Sequence, residues 1–256
     1  MIEINSLTKK YGKITAVDNL SLEIKTGECF GFLGPNGAGK TTTIKIMTGL
    51  LKPTQGTIYI GGNGSSKSGY DINKDPQKAK SIMGYIPDAP FLYEKLTGQE
   101  FLNFILGIFQ IDPKKAVEKI NYYLNLFELD DHRHDLIESY SHGMRQKIVM
   151  TSALIHDPKI LIVDEPMVGL DPKSSRTVKD IFRKQRDEGK TIFLSTHTLS
   201  VAEELCDRIG IINHGKIVAL GTMEELRSIS QRDKNGIGAD LESIFLTLTK
   251  EEHDNR

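Results

Sequence analysis

The chain has 256 residues, enough for one large domain or two small ones with a sizeable buried core. Its 33 basic and 34 acidic residues leave a net charge of −1, so no overall electrostatic attraction singles out nucleic acid or anionic lipid as the dominant partner. Two widely separated cysteines, Cys29 and Cys206, fit neither metal-ligand spacing nor a disulfide framework, no apolar run is long enough to cross a bilayer, and the N-terminus lacks the order of a signal peptide. A reducing compartment is the expectation.

Apolar patterning predicts strands over 2–8, 20–24, 28–33 and 57–60, with Asp18-Asn19 and Thr26-Gly27 as turns between them. The strand 28–33 runs into Gly34-Pro-Asn-Gly-Ala-Gly-Lys-Thr41, and a helix is expected from Thr41 to Leu51. Gly34, Gly37 and Gly39 let the backbone curl so that N–H groups point inward, and the helix start adds its positive end. Asn36, Gly37, Ala38, Gly39, Lys40, Thr41 and Thr42 thus form a candidate polyphosphate cradle, in which Lys40 reaches the outer phosphates and the Thr41 hydroxyl ligates the accompanying Mg²⁺. A chance glycine-rich turn is the competing reading, and the order strand, loop, helix argues against it. Gly61–Gly69 has the composition of a flexible surface loop and is given no chemistry.

From Asp88 to His156 the texture becomes helical. Thr97-Gly-Gln-Glu100 has capping-box spacing ahead of an apolar helix face, a second helix is expected near 114–127, and a third over 144–155. The α/β texture then returns, with buried strands at 160–164 and 191–195 flanking a helix at 172–188. A hairpin is predicted at 209–213 and 216–220, a terminal helix over 223–250, and fraying after it.

Three further places carry chemistry. The strand 160–164 ends in two carboxylates, where Asp164 can hold Mg²⁺ through its water shell and Glu165 can act as general base on the water that attacks the γ-phosphate. His197, at the tip of the strand 191–195, can hydrogen-bond that phosphate and position the water. Ser141 and Gly143 open the third helix of the insert as a second anion-binding helix start. One loop already encloses the phosphates, so this second one makes most sense when offered to another copy of the molecule.

In order and spacing, these segments resemble an ATP-binding cassette ATPase, the nucleotide-binding subunit of ABC transporters, over nearly the whole chain. The resemblance implies an α/β fold with a RecA-like P-loop core, an antiparallel β subdomain and an α-helical subdomain. It divides the chain into core and β subdomain (1–87), helical subdomain (88–156), the rest of the core (157–222) and a helical tail (223–256). It makes Tyr11 the aromatic on adenine, Gly34–Thr41 the Walker A loop, Ile160–Asp164 Walker B, Ser141–Met144 part of the signature motif, Gly169-Leu-Asp171 the D-loop and His197 the switch histidine. Two departures stand out. Tyr140, His142 and Met144 replace three of the five usual signature residues, and Asp88 replaces the glutamine that normally helps hold the Mg²⁺ shell and links it to the membrane subunit.

Tyr-Ser-His-Gly-Met, Gly84-Tyr-Ile-Pro-Asp-Ala-Pro and the tail from Leu241 resemble the exporter branch whose membrane subunits are separate polypeptides. The resemblance therefore implies ATP and Mg²⁺ as cofactors, a separate transmembrane permease and a second nucleotide-binding subunit as partners, and a place on the cytoplasmic face of the membrane. No specific nucleic acid is expected. The second reading is a soluble ABC ATPase serving as a nucleotide-gated scaffold or acting on nucleic acid. Such relatives show two cassettes in one chain, a coiled-coil insert or a strongly basic segment, and this sequence shows none of them.

Overall fold

The computed structural model describes residues 1–62, 64, 68–231, 241–242 and 245–246. Two sheets organise them. The first is antiparallel, with spatial order β2-β1-β4-β5, built from β1 (Ile2–Tyr11), β2 (Ile14–Ile24), β4 (Gln55–Ile60) and β5 (Tyr70–Asp71). The second has order β10-β9-β3-β8-β7-β6. In it β3 (Cys29–Leu33), β6 (Met83–Ile86), β7 (Ile160–Asp164), β8 (Thr191–Thr196) and β9 (Arg208–Asn213) run parallel, and β10 (Lys216–Gly221) closes the edge antiparallel to β9.

The parallel strands are buried on both faces, which is why they read as nearly unbroken apolar runs. Successive residues serve opposite sides, as the two-residue period of a strand requires. Ile160, Ile162, Phe30, Phe32 and Phe193 pack toward the antiparallel sheet and α1 (Lys40–Met47), whereas Leu161, Val163, Ile192 and Leu194 pack toward the helices. Phe193 lies between Phe30 and Phe32, with ring centroids 6.0 and 5.2 Å away.

The helical side comprises α3 (Gly98–Ile108), α4 (Pro113–Leu126) and α5 (His142–Ile155), together with α6 (Pro172–Asp187) and α7 (Leu199–Leu205). The predicted capping box is present at the start of α3: Glu100 N donates to Thr97 Oγ1 at 3.2 Å, and Thr97 N donates to Glu100 Oε2 at 2.9 Å. A short α2 (Pro76–Ser81) leads into β6, and α8 (Met223–Gln231) follows the final hairpin.

Several expectations need correction. Asp18-Asn19 is no turn: β2 runs through it, and Asn19 at φ 50° marks a bulge where the register with β1 shifts. The chain reverses earlier, at Gly12-Lys13, so both strands reach well past 8 and before 20. Exposed residues at that end of the hairpin hide the strand pattern from a reading based on apolarity. β6 and α7 went unpredicted because each is too short to show a period. Residues 63 and 65–67 of the expected surface loop, and most of the expected tail helix beyond 231, lie outside the described residues. Cys29 and Cys206, distant in sequence, come together as free thiols, and their mutual contact and burial push the Cys206 thiol up.

Candidate active site

Three neighbouring parallel strands end at one edge of the large sheet. Leu33 of β3 pairs with Thr196 of β8, and Ser195 pairs with Asp164 of β7. Ligands of open α/β sheets lodge at such carboxyl ends. From this edge residues 34–39 loop into α1.

Gly39 sits at φ 108° as the cap of α1, and a Cβ there would run into the carbonyl oxygen of Ala16 on β2. Only glycine meets both demands. The loop is tied from the other side as well, since Gly215 N donates to Ala38 O and Asp18 N to Gly215 O, both at 2.9 Å. Asn36 and Gly37 face solvent, Thr42 is half-buried, and Thr41 on the first turn is exposed. Lys40 is buried, and its ammonium curls back over the loop to donate to Gly34 O at 2.6 Å and Pro35 O at 3.2 Å. Burial lowers its pKa, and the charges of Glu165 and Asp164 oppose that shift. Tyr11 ends β1 with half its surface exposed and the Lys9 ammonium 5.2 Å from its ring centroid. Because Ala16 lies on Gly39, the β1–β2 hairpin places Tyr11 at the flank of the same loop.

Asp164, the last residue of β7, is buried; burial raises its carboxyl pKa, and the nearby charges of Glu165 and Asp88 raise it further. Asp88 itself is exposed, two residues beyond β6, and the pairing of Ile86 with Val163 brings it to the same edge as Asp164. Glu165 adopts φ 47°, a left-handed conformation held by its own N–H, which donates to Ser195 O at 2.9 Å. Its side chain is clamped at both oxygens: Oε1 lies 2.8 Å from His197 Nδ1, and Oε2 accepts from Thr196 Oγ1 at 3.2 Å. With the carboxylate ionised, Nδ1 must donate, which fixes the tautomer of His197. Sequence reasoning missed Thr196. Its buried hydroxyl also accepts from Thr198 N at 3.0 Å, so one side chain fixes both Glu165 and the turn that carries His197. A hydroxyl beside a predicted histidine was the available signal.

Ser141 and Gly143 do not join this cluster. Ser141 caps α5, accepting from Met144 N at 3.3 Å, and the described neighbour of Gly143 is the loop after β7. Asp171 caps α6: it accepts from Ser174 Oγ at 2.5 Å and from Ser174 N at 2.9 Å, and these two bonds hold its carboxyl down at about 2.

The corner therefore combines backbone N–H groups at a helix start, one buried lysine, a threonine hydroxyl, a strand-end aspartate and a clamped glutamate. Thr41 and Asp164 are hard oxygen donors. Among the described residues no group of three or more His, Cys, Asp or Glu forms a metal cage. That donor set fits a Mg²⁺ that draws its remaining ligands from phosphate and water.

Fold and site together define a P-loop nucleoside triphosphatase cassette. Residues 17–168, over half of the chain, match the family described as ABC transporter, and the chain belongs to this family as an ATP-binding cassette ATPase. It is similar to the linearmycin resistance ATP-binding protein LnrL of Bacillus subtilis (strain 168), with 39% identity over 89% of this chain and 71% of LnrL. Among solved structures it resembles an ATP-binding subunit of an ABC transporter, with 31% identity, a TM-score of 0.89, and coverage of 98% of this chain and 100% of that one. It also resembles the dimeric post-hydrolysis structure of the cassette MJ0796 bound to ADP and Pi, with 25% identity, a TM-score of 0.76, and coverage of 87% and 98%.

Proposed function

We propose that this chain hydrolyses ATP to drive an exporter whose permease is a separate polypeptide, two copies closing face to face around two ATP molecules on the cytoplasmic side of the membrane. The observation that carries the reading is the clamped Glu165 beside Asp164, at the ends of strands that adjoin the Lys40 loop. In this reading the loop 36–42 cradles the phosphates, Lys40 leaves its carbonyl partners for the outer phosphates, and Tyr11 stacks on the base. Thr41 and Asp164, with Asp88 through water, would hold Mg²⁺, which neutralises developing phosphate charge when bound. Glu165 takes the proton of the attacking water, and His197 orients Glu165 and the water. Ser141 and Gly143 serve the ATP held by the other copy, and Asp171 belongs to the surface that meets it.

Export is supported by the resistance function in the name of LnrL. A membrane partner is supported by an apolar surface beside Asp88: Phe91 is 93% exposed and Tyr93 58% exposed, the latter packed edge-on against Phe104 at 5.2 Å. Leu92, between them, turns instead toward the helical core. Among the described residues no helix is long and apolar enough to cross a membrane.

Two substitutions test the hydrolytic assignment. Lys40→Ala is expected to abolish useful ATP binding, whereas Glu165→Gln keeps binding and loses turnover by roughly 10²–10⁴-fold, the scale of a general base. Unchanged turnover in Glu165→Gln removes that residue from the role.

A further inference from the structure

His142 stands where the usual signature motif has glycine, and its imidazole does something specific in this structure. It lies against Gly169, in the loop that follows Glu165. Gly169 is at φ 77°, and a Cβ there would run into His142 Cδ2 and lie 2.5 Å from Nε2. The next residue closes the same contact from the other side, because a Cβ on Gly143 would lie 3.3 Å from Gly169 O. The start of α5 and the loop after β7 are therefore fitted together through one ring and two glycines.

The loop is short and internally bonded: Val168 N donates to Glu165 O and Leu170 N to Met167 O, both at 3.3 Å, and Asp171 then caps α6. Covalent bonds and hydrogen bonds within the loop thus lead from Glu165, clamped by Thr196 and His197, to Gly169, and the packing of the His142 ring carries the connection on to the Ser141–Gly143 turn. We propose that His142 is a positioning residue that makes this turn and the 165–171 loop move as one body, so that the state of Glu165 in one subunit sets the turn offered to the ATP of the other. This rests on the reading in which Ser141 and Gly143 act across a dimer. A glycine at 142 removes the ring from this contact and leaves Met144, Met167 and Leu170, which pack on a common core, to join the two elements less directly; closely packed bodies transmit small shifts where loosely packed ones absorb them.

Two measurements test it, both on the full chain. The first is a double-mutant cycle on thermal stability: Gly169→Ala should destabilise the wild-type chain more than it destabilises a His142→Gly chain, where only the φ strain remains. Equal losses in the two backgrounds overturn the contact. The second is ATP turnover against ATP concentration. His142→Ala should raise the half-saturating ATP concentration by about fivefold or more, the lower end of ordinary site–site coupling, with a smaller change in turnover at saturation and a Hill coefficient falling to about 1. His142→Gln, which keeps a planar polar group of similar reach, should recover part of the effect. A general loss of structure would instead lower saturating turnover and melting temperature together. Light scattering on the Glu165→Gln chain with ATP separates the two levels of the argument. No ATP-dependent dimer overturns the trans reading and this inference with it, whereas a dimer whose His142→Ala form keeps wild-type half-saturation and cooperativity overturns the inference alone.

Discussion

Asp88 shows how much one side chain changes at this edge. It replaces an amide with a carboxylate close enough to Asp164 for its charge to favour the protonated form of that residue. The same charge contributes, after burial and Asp164, to pushing the Tyr85 phenol up to about 12. Ionised, Asp88 accepts hydrogen bonds from a hydrated cation and cannot donate any. Exposed, and adjacent to the Phe91 and Tyr93 surface, it stands between the nucleotide corner and the expected permease contact. Asp88→Ala is therefore expected to leave ATP affinity within a few-fold while sharply reducing stimulation of hydrolysis by the reconstituted membrane partner, with Asp88→Asn milder. The measurement is turnover with and without that partner. Full stimulation in Asp88→Ala, or joint loss of ATP binding and thermal stability, returns Asp88 to the role of a turn residue between Pro87 and Pro90.

At the scale of an element, α6 owes its start to Asp171. The carboxylate accepts two hydrogen bonds from Ser174, and as an anion at a helix N-terminus it also meets the positive end of the dipole. Its folded-state pKa, about 2, lies below the ordinary value of 3.8. The charged cap therefore contributes fully above about pH 4, and its contribution fades as pH falls toward about 2. Asp171→Asn keeps a capping oxygen and removes the charge. The gap in urea midpoint between wild type and this variant should be open at pH 7 and close over that acid window; a gap independent of pH would show that the charge contributes nothing. The same helix start follows directly on the Gly169 loop, so the cap also fixes where that loop ends.

For the whole molecule, the separation of Ser141 and Gly143 from the Lys40–Glu165 corner is the central fact. Among the described residues the helix start at Ser141 and Gly143 faces the loop after β7 and not the phosphate loop, and in the proposed function another copy of the chain therefore completes the site. A mixture of Lys40→Ala and Ser141→Arg chains contains mixed dimers in which one composite site has both elements intact and the other has neither. Part of the ATP turnover should return on mixing two inactive preparations. No recovery at any ratio, with mixed dimers verified by differential tagging, would count against composition in trans.

The candidate site was legible in the sequence because its parts are local. A glycine-rich loop between a strand and a helix, two carboxylates at a strand end and a helix cap each need only a few consecutive residues, and the physical reason for each residue type is visible in the string. The large sheet was legible too, since strands covered on both faces must be apolar throughout. What the string could not supply was adjacency. Strand order puts β3 beside β8 and β8 beside β7, although these segments lie far apart in sequence, and only that order brings Thr196 and His197 onto Glu165. The contact of Cys29 with Cys206 and the ring of His142 on Gly169 were hidden for the same reason, whereas the reversal at Gly12-Lys13, a local feature, was hidden by the exposed residues on either side of it. Chain chemistry selects which groups are present, while side-chain contacts between distant segments depend on packing and register, which no local pattern encodes.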